Sequence, residues 1–178
     1  MKFFPLIILF ALVACTSSRD DLKKETDGHL RRANQSFFQN KPQSSVVDSA
    51  YNFIENFVKK FPDDTLSPAY LFEEALLQEK EKKYAQVLIT LDRIYSTYPQ
   101  SKQASKSLFL EGFLYANVLN ELDKAKEKYQ LYLDKYSSVD PKMTNDVQME
   151  LQNLGKSPDE ILKEIQEKAA QDSSKAPS

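Results

Sequence analysis

Few residues in this chain have the types and spacing for chemistry. One cysteine, Cys15, and one histidine, His29, stand in 178 residues. A lone thiol closes no disulfide within the chain, and a lone histidine excludes the common Cys/His zinc sets. Nucleophilic catalysis would need a base beside the nucleophile and a third group to orient it. His29 follows Gly28 in a polar stretch and has no second histidine to work with. The carboxylate neighbours Asp63-Asp64 and Glu73-Glu74 are adjacent, so on a helix each pair points to two faces and makes no acid/base couple by spacing alone. Three glycines in the whole chain exclude the glycine-rich phosphate loops, which need two or three in a short window. A formal charge of −2 and a pI near 5.6 argue against nucleic acid, whose binders displace counterions with a basic surface. The lysine clusters Lys59-Lys60, Lys80 to Lys83 and Lys124/Lys126/Lys128 are interleaved with acids and read as solvated helix faces. No cofactor, metal or enzymatic activity is expected.

Cys15 belongs to a different chemistry. Met1-Lys2 gives a charged start, and Phe3 to Ala14 is an apolar run of twelve. As a helix that run reaches only about 18 Å, short of the ~30 Å hydrocarbon core, so it reads as a secretory signal. Leu12-Val13-Ala14-Cys15 then resembles the lipobox of bacterial lipoproteins, with polar Thr16-Ser17-Ser18 after it. The resemblance implies cleavage before Cys15 and acylation of that residue. Thr16 in place of an aspartate implies the outer membrane. Asp20-Asp21 fits a solvated leader better than the surface-export signal that some lipoproteins carry.

The elements that follow are helical. Periodicity near 3.6 predicts helices over 20–39, 45–60, 68–82, 84–97, 102–120, 122–135, 141–153 and 158–171. Ser67-Pro68 and Asp140-Pro141 set a capping oxygen before a proline at the first helical position. Ser157 with Glu160 makes a capping box, and Gly155 suits a left-handed cap. The tail 172–178 is small and polar, a composition that predicts disorder.

Aligning the helix ends at Pro62, Pro99 and Ser137 uncovers a repeat. Twelve residues earlier stand Ala50, Val87 and Ala125. After these come Ile54, Leu91 and Tyr129, then Phe57, Ile94 and Tyr132, then Val58, Tyr95 and Leu133. Phe61, Tyr98 and Tyr136 close each helix, and Val47, Tyr84 and Leu122 open it. All eighteen are apolar or aromatic along one helical face, and the period is 37, then 38 residues. The pattern resembles the tetratricopeptide repeat. The matching first-helix positions are Ala75 and Gly112, small enough for two helices to approach closely, with Tyr115 three residues beyond Gly112. The period exceeds the family's usual length and Ser137 replaces a proline. Long, variable periods are familiar in the envelope branch of the family, which includes outer-membrane assembly lipoproteins. A plain helical bundle with matching stripes is the other architecture these residues allow.

The expected fold is therefore all-α, a tetratricopeptide-like helical-hairpin solenoid of about three repeats with C-terminal capping helices. The expected division is a signal at 1–14, a lipidated leader at 15–29, repeats at 30–137, C-terminal helices at 138–171 and a tail at 172–178. By the resemblance, first helices line a concave face, which puts Ala69, Phe72, Leu76, Phe109 and Phe113 toward a partner. Apolar residues there predict no clamp for a terminal carboxylate. Ser107 to Leu119 is apolar nearly all round and must be covered. The expected cover is the last two helices, through Met143, Val147, Leu151 and Leu154 and through Ile161, Leu162 and Ile165. A partner helix laid in the groove is the alternative. The functional expectation is a lipid-anchored scaffold in the Gram-negative envelope, facing the periplasm from the outer membrane. It would dock one or more envelope proteins, as an accessory to outer-membrane protein assembly. The second reading is a groove that binds a lipid or a hydrophobic peptide.

Overall fold

The computed structural model describes residues 8–174, with side chains over 19–167. The signal segment and the lipidation assigned to Cys15 lie outside the described side chains. Eight helices follow one another with no strand among the described residues: α1 (Ile8–Phe38), α2 (Ser44–Lys60), α3 (Ser67–Lys80), α4 (Tyr84–Thr97), α5 (Lys102–Asn117), α6 (Leu122–Tyr136), α7 (Pro141–Asn153) and α8 (Pro158–Ser174). The fold is an all-α array of helical hairpins. Two compact units divide between Ser107 and Leu108, within α5.

In the first unit α1 packs on α2, α2 on α3 and α3 on α4. Val47, Ala50, Ile54, Phe57 and Val58 bury one face of α2, and Val87, Leu91 and Ile94 bury the same face of α4. Phe57 meets the edge of Tyr70 at 4.8 Å and tilts against Phe61 at 5.2 Å. Ala75 is fully buried, and so is Ala33, which takes the same place in α1. In the second unit α6 buries Ala125, Tyr129, Tyr132 and Tyr136. Gly112 makes the α5–α6 approach possible, because a Cβ there would stand 2.9 Å from Tyr129 Cζ and closer still to the ring edge. The small residue read from the sequence is thus a steric requirement.

Each hairpin turns by the same device. Asn40, Lys82 and Asn120, just after α1, α3 and α5, take left-handed φ values of 53°, 59° and 55°. In the first two turns the amide three residues beyond the helix reaches back to a last-turn carbonyl: Lys41 N–H to Ser36 O and Lys83 N–H to Gln78 O, both 2.9 Å. In the third, Glu121 N–H reaches Tyr115 O at 2.8 Å, a ring one residue wider. These bonds satisfy carbonyls that a helix end leaves open. Repeat-to-repeat connections are of another kind, built on Phe61-Pro62 and Tyr98-Pro99.

The other signed ends are mostly as expected. Asp140 accepts from Lys142 and Met143 N–H at 3.0 and 3.1 Å. Ser157 and Glu160 form both arms of the capping box, at 2.7 and 3.3 Å, and Gly155 has φ 79°. Ser67 differs: it lies inside α3 and donates to Phe61 O at 2.6 Å, while Asp64 accepts from Leu66 N–H at 2.9 Å and shapes the turn. The proline therefore sits one position deeper in the helix than the spacing implied. Helix α5 also ends at Asn117, three residues short of its expected end, where the left-handed turn takes over.

Of the two helices expected to cover α5, α7 packs on α6 and buries part of its stripe. Val147 of α7 is buried and Met143, Leu151 and Leu154 are half-buried. Helix α8 does not follow: only Ile161 is half-buried, while Leu162 and Ile165 are 54% and 58% exposed. Three apolar side chains set among Asp159, Glu160, Lys163, Glu164 and Glu167 give too little area to hold the helix flat against a core.

Candidate partner-binding face

In α3 the buried face runs through Tyr70, Leu71, Glu74, Ala75, Leu77 and Gln78. Ala69, Phe72 and Leu76 stand three and four residues apart along its margin, and all three are half-buried. In α5, Phe109 is half-buried and packs 6.2 Å from the Tyr129 ring, while Phe113 one turn on is 37% exposed. The structure thus gathers the α3 residues on one edge in the first unit and the α5 residues on one edge in the second. Both edges keep part of their apolar area exposed.

Polar groups behind these edges are structural. His29 stacks on Phe53 at 4.0 Å and 16°, and burial with the nearby Arg32 pushes its pKa down. The ring is a packing element of the α1–α2 pair. Asp27 accepts from Tyr70 Oη at 2.7 Å and from Lys23 Nζ at 2.6 Å, and Arg19 spans to Asp64 at 2.5 Å. Among the described residues no cluster of three or more His, Cys, Asp or Glu converges as a metal site. A groove of about 580 Å³ in the second unit is lined by Asn117, Asn120, Glu150, Asn153, Lys156 and Glu160 beside Leu122, Leu154 and Ile161. That lining suits polar groups better than an acyl chain. No helix among the described residues is long and apolar enough to cross a membrane.

The chain is similar to an outer-membrane assembly factor. Over 114 residues it is 26% identical to the outer membrane protein assembly factor BamD of Pasteurella multocida (strain Pm70). The aligned stretch covers 63% of this chain and 42% of that protein, so this chain spans less than half of its relative's length. No family model matches the chain, and no solved structure does.

Two buried acids escaped the sequence reading. Glu74 has 8% of its surface exposed. Its Oε1 accepts from Gln78 Nε2 at 3.0 Å, and Gln78 Oε1 accepts in turn from Thr90 Oγ1 at 3.0 Å, joining α3 to α4. Its Oε2 is buried with no hydrogen-bond partner, and burial together with the Glu55 charge pushes the carboxyl up to about 7. In the second unit Glu111, also buried, faces Lys128 across α5–α6 at 3.0 Å. The signal was available for Glu74: it lies in phase with Leu71, Ala75 and Gln78, three, one and four residues away, on a face that packing must bury.

Proposed function

We propose that this chain is a lipid-anchored scaffold of the Gram-negative envelope, held at the outer membrane through acylated Cys15 and facing the periplasm. It docks an envelope protein through the apolar edges of its first helices, Ala69, Phe72 and Leu76 on α3 and Phe109 and Phe113 on α5. The similarity to a BamD over 114 residues carries this reading and favours an accessory role in outer-membrane protein assembly. In this reading residues 1–14 are removed, 15–29 form the lipidated leader and 30–137 carry the repeats. Binding rests on shape and apolar contact, and the anchor raises the effective concentration near membrane partners.

Crosslinked co-purification of a C-terminally tagged chain from envelopes tests the reading, with Cys15→Ala and Phe113→Ser as paired variants. One dominant envelope partner is expected, weakened by each change. A folded, membrane-bound protein that brings down no partner would sink the scaffold reading.

A further inference from the structure

The turn at the end of α1 departs from the other two. Ten residues separate the left-handed Asn40 from the small Ala50, against five from Lys82 to Val87 and five from Asn120 to Ala125. Beside this longer turn Phe38 is 89% exposed, more than any other large apolar side chain described. It contributes nothing to the core. A large aromatic standing in water at a helix end fits an anchor for a partner. It borders an open recess of about 820 Å³ formed by Arg31, Asn34, Gln35, Phe37, Phe38 and Lys80. Residues 31, 34, 35 and 38 share one helical face at spacings of three, four and seven, which can receive a second chain segment lengthwise.

The charges of the recess are one-sided. Lys80, in the last turn of α3, donates to Asn34 Oδ1 at 2.5 Å and lies 5.9 Å from the Phe37 ring centroid. Among the described residues neither Lys80 nor Arg31 forms an ion pair. Nearby acids are mostly engaged elsewhere. Asp27 accepts from Lys23 and Tyr70 and feels the Arg31 charge one helical turn on, and Glu81 accepts from Tyr51 Oη at 2.6 Å and pairs with Lys83 at 2.9 Å. Two cations over an aromatic floor, with no carboxylate in the lining, complement a ligand that is acidic and apolar together. Two cations in the lining also fall short of the roughly four to eight with which a basic segment holds anionic lipid, so a peptide fits better than a bilayer.

We propose that this recess docks an acidic segment of a partner protein. An aliphatic or aromatic side chain of that segment packs on Phe37 and Phe38, and its carboxylates pair with Arg31 and Lys80. The proposal rests on the scaffold reading but uses a different surface from the Phe72 and Phe113 edges.

Panning a displayed library of random peptides, about sixteen residues each, against the mature chain tests it. Enriched sequences should set Asp or Glu beside Leu, Ile or Phe and bind with micromolar affinity that falls as salt is raised. Arg31→Glu with Lys80→Glu should weaken them about tenfold, as should Phe38→Ser, while Phe113→Ser leaves them unchanged. Phe38 is exposed, so its variant keeps the fold, which a circular dichroism melt verifies. The proposal is overturned if nothing enriches, if enriched peptides lack an acidic excess, or if they bind the variants as well as the parent. It is also overturned if the double variant loses only binding to phosphatidylglycerol vesicles, which would make the recess a membrane contact. Peptides that depend on Phe113 and not on Phe38 would remove this proposal and leave the scaffold reading standing.

Discussion

Glu74 makes the stability of the first unit depend on pH in an unusual direction. Its carboxyl is pushed from an ordinary value of 4.5 up to about 7, first by burial and then by the Glu55 charge, with Arg93 opposing. Arg93 is committed to Glu55 at 2.5 Å and gives Glu74 little relief. The folded state therefore holds the proton more tightly than the unfolded chain. Between pH 4.5 and about 7 the unfolded chain releases it first, so stability falls as pH rises through that window and levels off above it. A shift from 4.5 to about 7 corresponds to an upper value of about 3 kcal/mol at 1.36 kcal/mol per unit. Glu74→Gln removes the ionisation and keeps an acceptor for Gln78, although its amide NH₂ inherits the unpartnered position. Relative to the parent, the variant's melting temperature should therefore rise between pH 5 and pH 8, by roughly 6–12 °C for a chain of this size. Paired circular dichroism melts at the two pH values measure the difference. A ¹³C titration of the Glu74 carboxyl locates its midpoint independently. Equal parent-to-variant offsets at both pH values, or a midpoint near 4.5, would refute the account of Glu74 as a buried, uncompensated acid.

Three further outcomes follow from packing and turns. Gly112→Ala drives a methyl into the buried Tyr129 ring and should cost about 1–3 kcal/mol in urea unfolding; an unchanged midpoint would mean that α5 and α6 separate easily. Lys82→Gly, at φ 59° on an exposed turn, should stabilise by about 1 kcal/mol, and a loss of stability would show that the lysine's chain matters more than its backbone angle. Asp140→Ala removes both side-chain bonds at the start of α7 and should cost about 1 kcal/mol, read as faster amide exchange at Lys142 and Met143.

The second helices of the repeats were the most legible part of the chain. Ala50, Ile54 and Phe57, Val87, Leu91 and Ile94, and Ala125, Tyr129 and Tyr132 are all fully buried, because an amphipathic stripe states its burial directly. First helices were harder. Ala33 is buried in register with Ala75 but stands beside Asn34 and Gln35 in a polar-looking stretch, so the helix expected over 20–39 showed no small packing position to match it to the repeat. The turns carry no glycine; Asn40 and Asn120 are of the type that tolerates a left-handed φ, but Lys82 is not, and nothing in its type announces the conformation it shares with them. Helix α8 misled for the opposite reason. Its apolar residues have helical spacing, but spacing says nothing about whether the area suffices to dock the helix. The Phe38 recess was invisible because Lys80 reaches it from another helix, and the lysine cluster looked like ordinary solvated surface.

The shared turn also bears on how such a chain changes length. Lys82 and Asn120 lie 38 residues apart in the same backbone state, each closing one first helix and opening the next second helix. A recombination joining the chain just before one of these turns to the chain just after the other removes or adds one whole hairpin and leaves an intact cap at the junction. Joins between non-equivalent positions would strand half a hairpin with its apolar stripe uncovered. The left-handed residues are in this sense matched joints at which whole hairpins can be exchanged, and the longer first turn, with its five additional residues, does not match them.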